Sequence, residues 1–125
     1  MWTYHQSSGI LSSADGQTVR TGYAGGNCGR NPEGINNPEM EDVHNIGPLP
    51  TGFYTIGGAI DHTHLGPCAM PLIPWPENEM FQRGGFYIHA DTPTPRMGSE
   101  GCIVMPADVR QMLAESKDRE LVVIL

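Results

Sequence analysis

One histidine and one cysteine stand in an order that suits nucleophilic catalysis. An apolar segment, residues 86–88, ends at His89, a loop rich in turn residues follows, and the chain reaches Ser99-Glu100-Gly101-Cys102 before a second apolar segment. A cysteine attacks carbonyl carbon atoms as the thiolate, and a nearby imidazole is the usual base that removes its proton. The sequence therefore predicts an enzyme in which Cys102 is the nucleophile and His89 is the base.

Two neighbours of Cys102 have types that suit supporting roles. Gly101 lacks a side chain, so a substrate carbonyl can approach the N–H of Cys102 and that of a neighbour, which predicts an oxyanion hole. Ser99 is predicted to orient the imidazole of His89 through its hydroxyl or its carbonyl. A cysteine beside a glycine is more often a small buried residue, but the order strand, histidine, loop, Ser-x-Gly-Cys is far more restrictive.

The elements that must position these residues are mainly short strands. The 16 glycines and 11 prolines are spread along the chain without a period, which indicates many turns and little helix. The pattern of apolar segments predicts strands at residues 2–6, 9–12, 18–24, 51–60, 85–89 and 121–125, the first two as a hairpin and the last as a buried strand.

Two loops and one helix complete the predicted fold. Residues 25–48 are typical of an ordered loop, and residues 61–83 are too interrupted by proline and glycine for regular structure. Pro106 suits the first turn of a helix, because the apolar residues that follow it have the spacing of one helical face; these are Val109, Met112 and Leu113. The sequence predicts a mainly β protein with one helix near the C-terminus.

Length and charge exclude several classes of function. The 125 residues suit one domain, 1–125. A net charge of −7, with seven basic against 14 acidic residues, disfavours binding to nucleic acid or to anionic membranes. No apolar run is long enough to span a bilayer, and the first residues lack the basic and apolar regions of a signal peptide. We expect a monomer that is made without a signal peptide.

The three cysteines leave an odd count. Cys28 and Cys68 both lie in loop-like surroundings rich in glycine or proline. They either pair in an oxidising compartment, which leaves Cys102 as the reactive thiol, or stay as two free thiols, and the sequence favours neither. In a bacterial periplasm we expect them to pair.

The residues around the predicted nucleophile resemble a known family. Ile88-His89 followed by Ser99-Glu100-Gly101-Cys102-Ile103 resembles the catalytic domain of L,D-transpeptidases, in which a histidine precedes a Ser/Thr-His-Gly-Cys element. Further segments narrow the resemblance to the compact type VI secretion L,D-transpeptidase effectors. These segments are Tyr23-Ala24-Gly25, Asn31-Pro32, residues 45–54, and Arg83 with residues 86–89. The resemblance covers residues 2–125, but Glu100 replaces the second histidine and the loop from His89 to Ser99 is short.

The resemblance implies a fold, a substrate and a place of action. The fold would be a β-sandwich or barrel with one helix near the C-terminus, and the substrate the stem peptides of peptidoglycan. Cys102 would form an acyl-enzyme during cleavage or exchange at an L,D-peptide bond, without a cofactor. The protein would be secreted, act in the periplasm of target bacteria and have a cognate immunity protein.

Three charged residues near the predicted catalytic segment are candidate substrate ligands. Stem peptides end in carboxylates, and arginine is the side chain that best binds them, which favours Arg83 and Arg96. A solvated surface charge explains either arginine equally well. Asp91 is a weaker candidate.

A zinc-dependent hydrolase is an alternative. His62 and His64 lie on one face of an extended segment, and His89 or Cys102 could complete a zinc site. The segment is a loop without a His-x-x-Glu helix, however, and surface histidines are the commoner explanation.

A wall-binding module, or a catalytically inactive relative, is a second alternative. The aromatic residues Trp2, Trp75 and Phe81 could line a glycan groove, although core packing explains them equally well. An unusually reactive Cys102 would distinguish an enzyme from either of these.

Overall fold

Ten short strands form one strongly curved sheet in the computed structural model, which describes residues 1–125. The strands are β1 (Trp2–His5), β2 (Ile10–Ser12), β3 (Val19–Thr21), β4 (Tyr23–Ala24), β5 (Gly52–Ile56), β6 (Ile60–His62), β7 (Gly66–Pro74), β8 (Tyr87–His89), β9 (Ile103–Val104) and β10 (Glu120–Ile124). One α-helix, α1, spans Ala107–Glu115, and two 3-10 turns lie at Pro32–Gly34 and Pro38–Met40 in the long loop before β5.

The sheet curls until its two ends meet. Its strand order is β3-β2-β1-β10-β5-β7-β8-β9-β4, with β6 added beside β7. The end strands β3 and β4 are consecutive in the chain and are separated only by Gly22, where a Cβ atom would lie 2.1 Å from the Val104 carbonyl oxygen. The predicted strand 18–24 is therefore bent into two, and the sheet becomes a nearly closed barrel. This confirms the prediction of a mainly β barrel-like fold with one late helix.

The core fills the inside of this barrel and extends beneath α1. Tyr4, Tyr54 and Ile88 are among its fully buried side chains, and each such side chain contributes roughly 1.5–3 kcal/mol. The helix buries Val109 and Leu113 and partly buries Met112, as the sequence predicts. The helix has nine residues, and no helix of the protein is long and apolar enough to cross a membrane.

The prediction that residues 61–83 lack regular structure is wrong. They contain β7, which has nine residues and pairs with β5, β6 and β8. Proline lacks an N–H, so it is tolerated in a strand only where no neighbouring strand needs that donor. The N–H and the carbonyl of one strand residue point toward the same neighbouring strand. Pro71 lies beyond the paired end of β5, where its carbonyl accepts a hydrogen bond from Gly57 and no strand oxygen needs its missing N–H.

One other expectation differs from the structure, and the two alternatives left open for Trp2 are decided. Residues 121–125 were predicted as a buried strand, but only one face of β10 is buried: Leu121 and Val123 lie in the core, whereas Ile124 is 40% exposed. Trp2, a candidate for a glycan groove, is buried at the start of β1, and its indole N–H donates to the Asp118 carbonyl. Trp75 stacks on Phe53 with ring centroids 5.2 Å apart.

Candidate active site

The predicted base ends strand β8, and the predicted nucleophile directly precedes the neighbouring strand β9. Strands β8 and β9 pair in parallel, with Ile88 opposite Ile103 and His89 opposite Val104. The two isoleucines point into the core, so the alternation of side chains turns His89 and Cys102 to the opposite face. One strand spacing across and two residues along place their Cα atoms about 8 Å apart, a span that an imidazole and a thiol can bridge. Both residues line one open cavity of about 390 Å³.

The imidazole of His89 is held in one tautomer. Its Nδ1 lies 2.6 Å from the carbonyl oxygen of Ala90, and since a carbonyl only accepts, Nδ1 carries the proton. The lone pair therefore lies on Nε2. The side chain is 3% exposed, and burial lowers the pKa of His89. At neutral pH the ring is an uncharged base.

The thiol of Cys102 is protonated in the resting protein. The pKa of Cys102 is raised to about 11, chiefly by burial; the Glu100 carboxylate also raises it, while the Tyr87 N–H and the Arg83 charge lower it. The Tyr87 N–H lies 3.3 Å from Sγ. The thiol donates to the Gly85 carbonyl, 3.9 Å from Sγ, and not to His89. Since both the thiol and the imidazole at this cavity are neutral, the thiol proton must leave as the sulfur attacks.

Ser99 holds the turn that carries the nucleophile. Its buried hydroxyl accepts the N–H groups of Gly25 (2.9 Å) and Gly101 (3.0 Å) and donates to the carbonyl of Cys102 (2.7 Å). The Ser99 carbonyl accepts the N–H of Cys28. Both of its polar groups are thus used away from the imidazole. The prediction that Ser99 orients the histidine is wrong, because the Ala90 carbonyl makes that contact.

Gly101 occupies a position that only glycine fits. Its φ is +137°, and a Cβ atom there would lie 2.6 Å from Nη2 of Arg83 and 2.7 Å from the ring of Phe86. Its N–H already donates to Ser99 and is not free for a substrate. The N–H of Cys102 donates to no oxygen atom of the protein, so it is the N–H of this turn that is free to bind a substrate oxygen.

The three predicted substrate ligands do not line the cavity. Arg83 is 7% exposed, and its terminal nitrogens donate to backbone carbonyls. Arg96 lies over the ring of Tyr23 and lines a separate groove. Asp91 accepts the Tyr23 hydroxyl and the N–H groups of Thr92 and Arg96, which organises the loop after β8. Substrate binding by these residues remains a prediction.

The cavity wall also contains residues that the sequence did not place at this site. They come from segments that are far apart in the chain, so no local pattern could bring them together; they are Cys28, Asn45, His64, Leu65, Thr92, Met97 and Gly98. The wall holds no lysine or arginine, and its carboxylate belongs to Glu100. Ala90 escaped prediction because it acts through its backbone, which any residue type provides.

All three cysteines are free, so the bridge expected between Cys28 and Cys68 is absent. The thiol of Cys28 lies at the cavity wall, 3.6 Å from a carboxylate oxygen of Glu100. Burial, followed by this carboxylate, raises the pKa of Cys28. Cys68 lies in β7, outside the cavity wall.

The zinc alternative lacks a ligand set. Nδ1 of His62 accepts the N–H groups of His64 and Leu65, both at 3.1 Å. The ring of His62 packs edge-on against Tyr87. The protein contains no group of three His, Cys, Asp or Glu residues placed to hold a metal ion, so the two loop histidines have no third ligand.

Comparison with known families identifies the class. The profile of the Tlde1 domain matches residues 22–124. The fold and this match define an L,D-transpeptidase-like protein of a peptidoglycan-acting group. The chain belongs to the Tlde1 domain family, the type VI secretion L,D-transpeptidase effectors, which confirms the resemblance read from the sequence.

Two solved structures have a similar fold. Both are of Pgp2, the helical cell shape determining protein of Campylobacter jejuni, and one is of a point variant. Each has a TM-score of 0.58 and 16% sequence identity over 98% of this chain. The chain spans about half of Pgp2, 46% and 45% of the two crystallised chains. No curated protein sequence matches the chain significantly.

Proposed function

We propose that this protein is a cysteine enzyme that cleaves or exchanges at L,D-peptide bonds of peptidoglycan stem peptides. The observation that carries this proposal is that His89, at the end of β8, and Cys102, directly before β9, line one cavity. The hydrogen bond from Nδ1 to the Ala90 carbonyl supports it, because it leaves Nε2 free to take the thiol proton. Membership of a family that acts on peptidoglycan supports the substrate class.

Acylation begins when the sulfur of Cys102 attacks the carbonyl carbon of the L-centred residue. The thiol proton moves to Nε2 of His89, the new S–C bond forms, and the carbonyl oxygen becomes an oxyanion near the N–H of Cys102. The C–N bond then breaks, and the amine of the D-amino acid leaves with the proton that His89 returns. A thioester remains on Cys102.

Deacylation decides between the two outcomes. Nε2 of His89 takes a proton from water or from the amine of a D-amino acid, which attacks the thioester carbon. The C–S bond breaks and the thiolate recovers a proton from His89. Water gives a shortened stem peptide, and a D-amino acid gives an exchanged one.

Muropeptide analysis tests this proposal. Incubating purified peptidoglycan with the protein should shorten stem peptides or exchange their terminal residue, and Cys102→Ala should abolish both changes. Cys68→Ala is the matched control, since that thiol lies outside the cavity, and it should retain the activity. Product formation by Cys102→Ala at the wild-type rate would refute the mechanism.

The place of action is part of the same proposal. We infer that the protein acts in the periplasm of target bacteria and that a cognate immunity protein protects the producer. Expression in a bacterial cytoplasm should then be tolerated, whereas fusion to an export signal should slow growth or deform cells, and only while Cys102 is intact. Equal toxicity in the cytoplasm would contradict a cell-wall target, and toxicity of exported Cys102→Ala would favour a wall-binding module.

A further inference from the structure

Arg83 is a buried cation without a carboxylate partner. Its Nη1 donates to the carbonyls of Glu41 (2.6 Å) and Pro48 (2.7 Å), and its Nη2 to those of Gly47 (2.9 Å) and Glu100 (3.2 Å). The protein has one salt bridge, between the N-terminal amine and Asp118, so no carboxylate lies within 4.0 Å of this guanidinium. Four carbonyl dipoles solvate the charge, but they do not neutralise it.

An uncompensated buried charge acts on its surroundings. Buried arginines are normally paired with an acid, because charge is costly to remove from water. The groups around Arg83 that bear or can acquire negative charge are Tyr54, Asp42, Glu41 and the thiol of Cys102. Tyr54 stays neutral, because burial raises its pKa, and neither acid forms an ion pair with the guanidinium. A negative charge that forms on the sulfur is therefore favoured by a nearby cation that no carboxylate contacts within 4.0 Å.

The guanidinium also touches the turn that presents the sulfur. It binds the carbonyl of Glu100, two residues before Cys102, and its Nη2 fills the space that a side chain on Gly101 would need. On its other side it stacks over Phe86, 5.2 Å from the ring centroid, and Phe86 lines the catalytic cavity. Any displacement of Arg83 would move both the nucleophile turn and the cavity wall.

We propose that Arg83 is a positioning residue that fixes the nucleophile turn through backbone carbonyls and stabilises the thiolate of Cys102 as it forms. The catalytic importance of this role rests on the proposed function. The effect of Arg83 on the Cys102 thiol does not, because it can be measured without substrate. This role is distinct from the predicted binding of a substrate carboxylate by Arg83. Arginine suits the role because its planar fork reaches carbonyls from three separate segments while remaining charged.

Alkylation kinetics test the electrostatic part. The rate at which iodoacetamide labels Cys102 is followed by peptide mass spectrometry between pH 7 and pH 11, with Cys68 as the internal reference. Arg83→Met should slow labelling of Cys102 severalfold at pH 8, because loss of a nearby cation raises the thiol pKa and lowers the fraction of thiolate. Arg83→Lys should restore most of the rate, because it restores the charge.

The protein contains a matched control for the structural part. Arg119 also donates to four backbone carbonyls, those of Ile56, Gly57, Leu113 and Ser116, but it lies away from the cavity. Arg119→Met should lower stability as Arg83→Met does and leave the labelling of Cys102 unchanged. Equal labelling profiles for Arg83→Met and wild type, with both folded, would overturn the proposal.

A second neutral variant covers the case in which Arg83→Met does not fold. Arg83→Gln keeps one donor for the carbonyls, and circular dichroism establishes that it is folded before labelling. It should show the same slow labelling, and a wild-type profile would again overturn the proposal. If wild-type protein failed to process peptidoglycan while these profiles shifted as expected, the proposed function would fail and the role of Arg83 at the thiol would stand.

Discussion

Removing the hydroxyl of Ser99 should lower the stability of the protein by more than the loss of one oxygen atom usually does. The side chain is fully buried, and its oxygen accepts the N–H groups of Gly25 and Gly101 while donating to the carbonyl of Cys102. Ser99→Ala removes that oxygen and leaves both N–H groups without an acceptor. No neighbouring group can replace it without moving the nucleophile turn.

The expected loss follows from these two N–H groups. A buried donor that loses its acceptor costs about 1–3 kcal/mol, so the variant should lose about 2–6 kcal/mol of unfolding free energy. The middle of that range, about 4 kcal/mol, raises the ratio of unfolded to folded protein about a thousandfold. The turn should also lose its fixed geometry, so turnover should fall further than the folded fraction does.

Urea unfolding followed by tryptophan fluorescence measures this loss, because Trp2 is buried. Ser8→Ala is the control: its exposed hydroxyl accepts a single N–H, from Ile10 at 3.3 Å, and its loss should change stability by less than about 0.5 kcal/mol. If Ser99→Ala also fell within about 0.5 kcal/mol of wild type, the hydrogen-bond assignment of the turn would be refuted.

Three further results are expected. Cys102→Ala and His89→Ala should each abolish peptidoglycan processing, and the double variant should be hardly slower than either, because nucleophile and base act as a unit; additive losses would separate them. Gly101→Ala should lose activity and thermal stability, since its Cβ would overlap Arg83, whereas Gly58→Ala, with open space around it, should melt near wild type. Glu100→Gln should lower the thiol pKa, because the carboxylate raises it, so iodoacetamide should label Cys102 faster at pH 8; an unchanged rate would show that the carboxylate acts too weakly to matter.

The residues with distinctive chemistry were predictable from the sequence. His89 and Cys102 are rare residue types at the ends of apolar segments, and strand alternation explains why they share a face. The late helix was predictable because Pro106 marks its start and its buried residues repeat at helical spacing. Such signals lie within short segments of the sequence, so they can be recognised without knowledge of the fold.

The supporting contacts were not predictable, because they depend on the chain path. The Ala90 carbonyl orients the imidazole through an atom that every residue has. The sequence favoured Arg83 as a substrate ligand, with a surface charge as the alternative, and only the folded loops bring four carbonyls to its side chain. Strand β7 was missed for a related reason: its prolines are unfavourable locally, and only the register with β5 and β8 explains why they are tolerated.

The position of β10 has a consequence for how the chain folds as it is synthesised. Strand β10 (residues 120–124) lies between β1 and β5 in the sheet. These two strands, which lie much earlier in the chain, are therefore joined only once β10 pairs with both. Pairings so distant in sequence make folding slow, on the order of milliseconds to seconds. Until that segment leaves the ribosome, β1 and β5 each present an unpaired edge that invites aggregation. The barrel that carries His89 and Cys102 therefore closes only after residues 120–124 have been made, and a chain cut before residue 120 should accumulate as aggregate.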